Sequence, residues 1–359
     1  MNYKKRKKEF LKAVKNLKVN AVLISSPVNV EYLTGFKSTN GYVVLTPDET
    51  TIFTDFRYKQ LADEIAAKEK MKAIVSRNGI LFAIRKYLYK QNIKKAAYED
   101  YHVTVSMFGN IKKSIRKVKW LPVKSKFFHV RDKKTEEELK FMTLAVEVAE
   151  KGFSSIKKKE WIGLKEFEAG ELLEKRMKHF ANKLGFRTEP SFNIVVAAGE
   201  NAAVPHHPSG RTVIRENQML LLDWGAKIEG YCSDMTRTIF LGEPDRKFKK
   251  IYNIVLKANK AAIRAVKPGI SMSKIDEAAR KIIRDAGFGK EFGHSTGHGI
   301  GLEIHEGSSP TIKSSARAKT GMVVTIEPGI YLSGWGGIRI EDMVLVTSKG
   351  AKVLTSLPK

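Results

Sequence analysis

Along residues 1–125 the spacing of apolar positions switches repeatedly between helical and strand-like periods. Residues 4–17 read as an amphipathic helix, and residues 21–25 as a short apolar strand. Residues 41–45 and 51–54 read as neighbouring strands, with Thr46-Pro47-Asp48 turning between them. A helix over 60–70, a strand over 73–76 and a helix over 81–89 follow, and 96–99, 103–115 and 120–123 continue the alternation. Such interleaving predicts an α/β unit with a mixed sheet.

A linker reading Val130-Arg131-Asp132-Lys133-Lys134-Thr135 comes next. Thr135 with Glu138 three residues on forms a capping box, opening a helix to about residue 156. A second helix is expected over 164–183. From 191 onward the strands carry polar residues and glycine-rich loops separate them, with helices near 245–266 and 273–286. The expected organisation is α+β in two domains, 1–127 and 128–359, a division that suits a chain of 359 residues.

No stretch approaches twenty apolar residues, which excludes a membrane-spanning helix. Residues 1–18 are basic, but the segment after them is broken by Ser25, Ser26, Pro27 and Asn29 and makes a poor signal peptide. Cys232 is the single cysteine, so no internal disulfide forms, and a cytoplasmic location is expected. The net charge of +27 is concentrated early: residues 1–130 hold 27 Lys and Arg against 10 Asp and Glu. Polyanion binding and a solvated basic surface compete as explanations. The lysines are scattered rather than set among aromatics, which favours the second and argues against nucleic acid.

Five of the eight histidines lie between His206 and His305. In the same region, apolar runs deliver acids. Leu220-Leu221-Leu222 leads into Asp223, a placement that costs several kcal/mol unless the carboxylate is paired or bound to metal. Asp234 follows eleven residues later, and a turn at Glu229-Gly230 would bring the two onto adjacent strands. Solvated acids on a surface hairpin are the competing explanation. His298 is flanked by Gly297 and Gly299, which strip side-chain bulk from around it, seven residues before His305; a flexible loop with incidental histidines is the bland alternative. Val323-Val324-Thr325-Ile326 leads into Glu327, and Glu341 follows in Gly337-Ile338-Arg339-Ile340-Glu341-Asp342. Alternation puts Arg339 and Glu341 on one strand face, where a plain ion pair is the bland alternative. Asp223, Asp234, His298, Glu327 and Glu341 together carry four negative charges and one imidazole, a set suited to two divalent cations: Mn²⁺, with Co²⁺, Fe²⁺ or Zn²⁺ also compatible. Two such ions roughly 3.5–4 Å apart can share and acidify a water.

These segments resemble the M24 metallopeptidases, in particular Xaa-Pro aminopeptidases and Xaa-Pro dipeptidases (prolidases). The resemblance is strong from about 191 to the end. It is weaker in Tyr32-Leu33-Thr34-Gly35-Phe36 and Thr54-Asp55-Phe56-Arg57-Tyr58, which are similar to the family's N-terminal domain. It implies a creatinase-like α/β domain before a pita-bread catalytic domain, whose curved antiparallel sheet is backed by helices. It also implies bidentate binding of one ion by Asp223, bridging by Asp234 and Glu341, and one further ligand to each ion from His298 and Glu327. His206 matches a substrate-contacting histidine, His294 one lining the proline side, and His305 one that steadies the scissile carbonyl. Glu327 would shuttle a proton, and Tyr331 and Arg339 match further active-site positions. His207 carries over no role. The implied reaction is hydrolysis of the bond before a proline at position two, by attack of a metal-bridging hydroxide, in a homodimer. Two rivals remain. Methionine aminopeptidases share the superfamily but usually lack an N-terminal α/β domain. A non-catalytic M24-like module for polyanions would suit the charge, but such modules usually lose ligands.

Overall fold

Apolar runs long enough to be covered on both faces build the centre of the first sheet. In the computed structural model, which describes residues 1–124 and 126–359, the chain divides into the units Met1–Val130 and Arg131–Lys359. The first unit contains α1 (Tyr3–Ala13), β1 (Ala21–Ile24), α2 (Pro27–Thr34), β2 (Gly41–Leu45), β3 (Thr50–Asp55) and α3 (Lys59–Glu69). It continues with β4 (Lys72–Ser76), α4 (Ile80–Lys90), β5 (Lys95–Tyr98), α5 (Val105–Ser114) and β6 (Lys119–Pro122). The strands form one mixed sheet in the order β4-β3-β2-β1-β5-β6. β1–β2 and β2–β3 are antiparallel, whereas β1–β5, β5–β6 and β3–β4 are parallel. All four residues of the central β1 are buried, so this strand reads as a continuous apolar run rather than an alternation.

Helix α2 departs from the expectation. Ser25, Ser26, Pro27 and Asn29 looked like an interruption, yet Pro27 begins a helix that ends at Gly35 with φ 75°. Proline suits the first turn because its missing N–H would have had no partner there. The amides before it are satisfied from across the sheet. Glu99, fully buried just after β5, accepts from Ser26 N at 2.8 Å, Ser25 N at 2.5 Å and Asn29 Nδ2 at 2.6 Å.

The second unit opens on the linker and the capping box. Thr135 Oγ1 accepts from Glu138 N at 3.3 Å while Glu138 returns a bond to Thr135 N at 2.8 Å. The elements are α6 (Glu136–Ser154), α7 (Lys158–Trp161), α8 (Glu166–Lys183), β7 (Glu189–Pro190), β8 (Val195–Ala198), β9 (Gln218–Trp224), β10 (Ala226–Ile228), β11 (Tyr231–Cys232) and β12 (Met235–Leu241). Then come α9 (Arg246–Ala265), α10 (Met272–Asp285), β13 (Val323–Ile326), β14 (Gly329–Leu332), β15 (Gly336–Arg339), β16 (Asp342–Thr347) and β17 (Gly350–Val353). Every strand pairing in this unit is antiparallel. Two sheets carry the site, β12-β9-β8 and β13-β16-β17, with the hairpin β14-β15 beside them. Helix α9 buries Phe248, Ile251, Val255, Ala258 and Ala262, the one-sided stripe of an amphipathic helix. These join Ile275 and Ala279 of α10 and Leu221, Val324 and Val344 of the strands in one core. The fold is α+β, and among the described residues no helix is long and apolar enough to cross a membrane.

Replacing Glu99 by Gln turns an acceptor-only group into one that presents N–H toward the amides opening α2. Urea denaturation of Glu99→Gln should show a loss of about 2–3 kcal/mol. A change within about 0.5 kcal/mol, the range of ordinary surface replacements, would contradict the account.

Candidate active site

Strand β9 is buried on both faces, with Leu221 in the core beside α9, and the indole of Trp224 donating to Ala149 O of α6 at 3.1 Å. Asp223 rides at its end, in register with Thr236 of β12 and Val195 of β8. The chain returns through Glu229-Gly230, at φ 48° and 83°, between Ile228 and Tyr231. Two left-handed residues in a two-residue loop match the twist of the strands, so the expected hairpin forms. Asp234, 4% exposed and one residue before β12, comes to lie beside Asp223. Burial, then the charges of Asp223 and Glu327, push its pKa well above the usual carboxylate range.

His298 lies in an extended stretch bonded to β13 rather than in a flexible loop. Thr325 N donates to His298 O at 2.8 Å, and His298 N to Thr325 Oγ1 at 3.0 Å. A Cβ at Gly297 would overlap Thr325 O, and one at Gly299 would overlap Glu306 O, so the flanking glycines answer to close backbone approach. His298 Nδ1 sits 3.1 Å from Gly299 O, while Nε2 faces Asp234 Oδ2 at 3.2 Å and Glu327 Oε1 at 3.5 Å. With the proton on Nδ1 given to the carbonyl, Nε2 presents a lone pair toward the acids, the tautomer a cation ligand needs.

Glu327 and Glu341 each follow an isoleucine whose carbonyl is held by Asn259 of α9. Asn259 Nδ2 lies 3.0 Å from Ile326 O, 3.2 Å from Ile340 O and 3.0 Å from Asp342 Oδ2. Burial raises the pKa of Glu327, against the pull of His298 and Arg339, and that of Glu341 is raised well above its ordinary value by burial, Asp234 and Glu327. The bland alternative, an ion pair between Arg339 and Glu341, is not the pairing that forms. β15 ends at Arg339 and β16 begins at Asp342, so the alternation breaks before Glu341. The guanidinium instead pairs with Asp223, Nη2 to Oδ2 at 2.6 Å. Thr236 links the two groups, accepting from Arg339 Nε at 2.9 Å and donating to Glu341 Oε2 at 2.7 Å. Sequence reasoning passed over Thr236 and Asn259. The hairpin register could have found Thr236, since it faces Asp223 across the ladder; nothing local marks Asn259.

The four acids and one imidazole proposed from sequence all line one cavity of about 750 Å³, together with His206, His294, His305 and Arg339 and the apolar Phe192, Ile194 and Ile304. Ligand atoms of Asp234, His298 and Glu341 lie within 4.8 Å of one another. Asp223 Oδ1 and Glu341 Oε1 are buried with no hydrogen-bond partner. Unsatisfied carboxylate oxygens beside an imidazole lone pair are a donor set that a hard or borderline divalent cation fits.

Three histidines stand on loops that buried acids hold. Asp276 of α10 accepts from Thr296 N at 3.0 Å and pairs with Arg280, which donates to His294 O at 2.8 Å. His294 Nδ1 lies 2.8 Å from Ser295 O, and its Nε2 2.9 Å from the hydroxyl of Tyr331. That hydroxyl accepts from Arg339 Nη1 at 2.9 Å. Burial, with Arg339 nearby, lowers the His294 pKa to about 4, so the ring is neutral and accepts the Tyr331 proton. Tyr331 therefore links His294 to Arg339 through its hydroxyl. His305 is exposed, its ring 4.2 Å from that of His298 and edge-on to it. Partial burial, then His298 and His206, lower its pKa. The next residue, Glu306, is 4% exposed and pairs with Lys134 Nζ at 2.8 Å and Arg131 Nη2 at 3.1 Å. His206 is exposed, and its neighbour His207 bonds to the buried Glu166.

Residues 140–348 match metallopeptidase family M24, and residues 6–132 match the Creatinase/Prolidase N-terminal domain. The chain belongs to metallopeptidase family M24. It is 34% identical over 355 residues to an Xaa-Pro dipeptidase of Pyrococcus furiosus, covering 98% of each chain. Among solved structures, an Xaa-Pro dipeptidase from Bacillus anthracis superposes with a TM-score of 0.93 at 35% identity, over 100% of this chain and 99% of that one. An X-Pro aminopeptidase from Thermotoga maritima MSB8 gives 0.85 at 31%, over 97% and 98%.

Lys134 and Glu306 are both nearly solvent-free, so removing the ammonium takes one of two cations, Arg131 being the other, from a buried carboxylate. Lys134→Met should lower stability by about 3 kcal/mol in urea denaturation. A loss below about 1 kcal/mol, the worth of an exposed pair, would contradict this.

Proposed function

We propose that the chain hydrolyses the peptide bond preceding proline, in Xaa-Pro dipeptides or at the N-terminus of longer peptides. The observation that carries this reading is the convergence of Asp223, Asp234, His298, Glu327 and Glu341 on one cavity, with two carboxylate oxygens left unbonded. These five side chains would hold two divalent cations, Mn²⁺ first among them. When bound, the cations supply Lewis acidity toward a carbonyl and an acidified water. The Xaa-Pro relatives support the substrate class. The proposal extends to a homodimer in the cytoplasm, a setting that suits a lone buried cysteine.

The chain's own groups divide the remaining work. Glu327, its pKa raised by burial, is the group placed to pass a proton to the leaving nitrogen. His305, exposed at the cavity and close to His298, donates to the oxyanion as it develops. His294, neutral and tied through Tyr331 to Arg339, offers an uncharged ring surface that a proline ring can pack against without desolvating a charge. His206 contacts the substrate from the opposite loop. Arg339, bonded to Asp223, holds that carboxylate in place and offsets one of the four acidic charges.

A hydrolysis panel tests the proposal. Xaa-Pro dipeptides, Xaa-Pro-Yaa tripeptides and Xaa-Ala and Met-Ala controls would be given to metal-stripped protein with each divalent ion restored. Cleavage before proline that needs added metal is expected, and Glu341→Gln should lose metal and reduce kcat by about 1000-fold. Release of methionine from Met-Ala without cleavage of any Xaa-Pro bond would move the assignment to the methionine aminopeptidase type. No cleavage at all, with retention on a polyanion column at physiological salt, would move it to a binding module.

A further inference from the structure

His207 is the one histidine of the cavity that the reaction above leaves without a task. Its Nε2 lies 2.8 Å from Glu166 Oε2, at the first residue of α8. Glu166 has no solvent exposure, and both its oxygens are saturated. Oε2 also accepts from Gly210 N at 2.9 Å, while Oε1 accepts from Ala198 N at 2.9 Å and Asn201 Nδ2 at 2.8 Å. One carboxylate thus gathers the start, middle and end of the loop that leaves β8. Four donors to a buried carboxylate favour its ionised form, and its pKa stays below the ordinary value despite burial. From the other side, Arg339 Nη1 donates to Pro205 O at 3.1 Å. Pro205 and His207 are therefore both anchored, one through its carbonyl and one through its ring. Between them His206 is exposed and lines the cavity.

We infer that Glu166 and His207 are positioning residues for His206: the Glu166–His207 bond and the Arg339–Pro205 bond together aim the intervening histidine at the substrate. The inference rests on the proposed role of His206. His207 is assigned this indirect role because its Nε2 is committed to Glu166 while the exposed ring beside it belongs to His206. A side chain of similar bulk without a donor would leave the loop closed by Ala198, Asn201 and Gly210 but untied beside His206.

The test is a double-mutant cycle on the Mn²⁺-loaded enzyme, reading kcat/KM for an Xaa-Pro substrate. His207→Phe should lower kcat/KM by about 10-fold or more in the wild-type background, and by less than about twofold in a His206→Ala background. His207→Gln, whose amide can still donate to Glu166, should stay within about threefold of wild type. Equal losses from His207→Phe in both backgrounds would mean a general structural effect and overturn the inference, as would a loss under about twofold in the wild-type background. Should His207→Phe fail to fold, His207→Ala in the same two backgrounds makes the same comparison. If His206→Ala alone leaves kcat/KM unchanged, the role given to His206 falls, and the positioning inference falls with it. An additive cycle on top of a damaging His206→Ala removes the positioning inference alone.

Discussion

Four carboxylates crowd one cavity, and the second unit is arranged around making that tolerable. Like charges so close, removed from water, resist ionisation, which is why Asp234, Glu327 and Glu341 all bind protons more tightly than free carboxylic acids. Arg339 offsets one charge by pairing with Asp223, and Thr236 gives a proton to Glu341. Those two contacts do not exhaust the acceptors, since Asp223 Oδ1 and Glu341 Oε1 stay buried and unbonded. Leaving an acceptor in that condition costs of the order of 1–3 kcal/mol, and more for a charged group. Divalent cations held by these oxygens would remove the cost and the repulsion together.

Placement of the acids comes from ends and breaks of strands rather than from their middles. Asp223 is near the end of β9, Asp234 just precedes β12, Glu327 follows β13, and Glu341 fills the gap between β15 and β16. Asn259, buried on α9, reaches the carbonyls ahead of both glutamates and so ties their spacing to the helical core. The histidines follow a different rule. Each stands on a loop, and each loop is gathered by a buried acid: Glu166 for His206, Asp276 for His294 and Glu306 for His305. Strand ends set the acids, while the pinned loops carry the histidines that line the cavity.

Much of this was legible before the structure. The strands of the first unit and the long helices of the second were visible as periodicity, since burial on one or two faces dictates the spacing. The capping box at Thr135 and the turn at Glu229-Gly230 are short-range chemistry, readable from a few residues. The acids behind apolar runs announced themselves because the location is costly. Helix α2 was missed because its amides are satisfied by Glu99, more than seventy residues away, and nothing local reveals that partner. The partner of Arg339, Asp223, was not foreseen for a related reason. Alternation assumes an unbroken strand, and the break after Arg339 frees the guanidinium to reach Asp223. Glycines around His298 strip bulk from around it, and in the structure they permit close contact with β13 and the Glu306 carbonyl.

The claim under all of this is that five side chains distant in sequence form one cage for a pair of cations. Anomalous diffraction from crystals soaked in Mn²⁺ reads that directly. The account predicts two anomalous peaks, bounded by Asp223, Asp234, His298, Glu327 and Glu341. An empty cage at saturating Mn²⁺, or peaks only at other side chains, would contradict it.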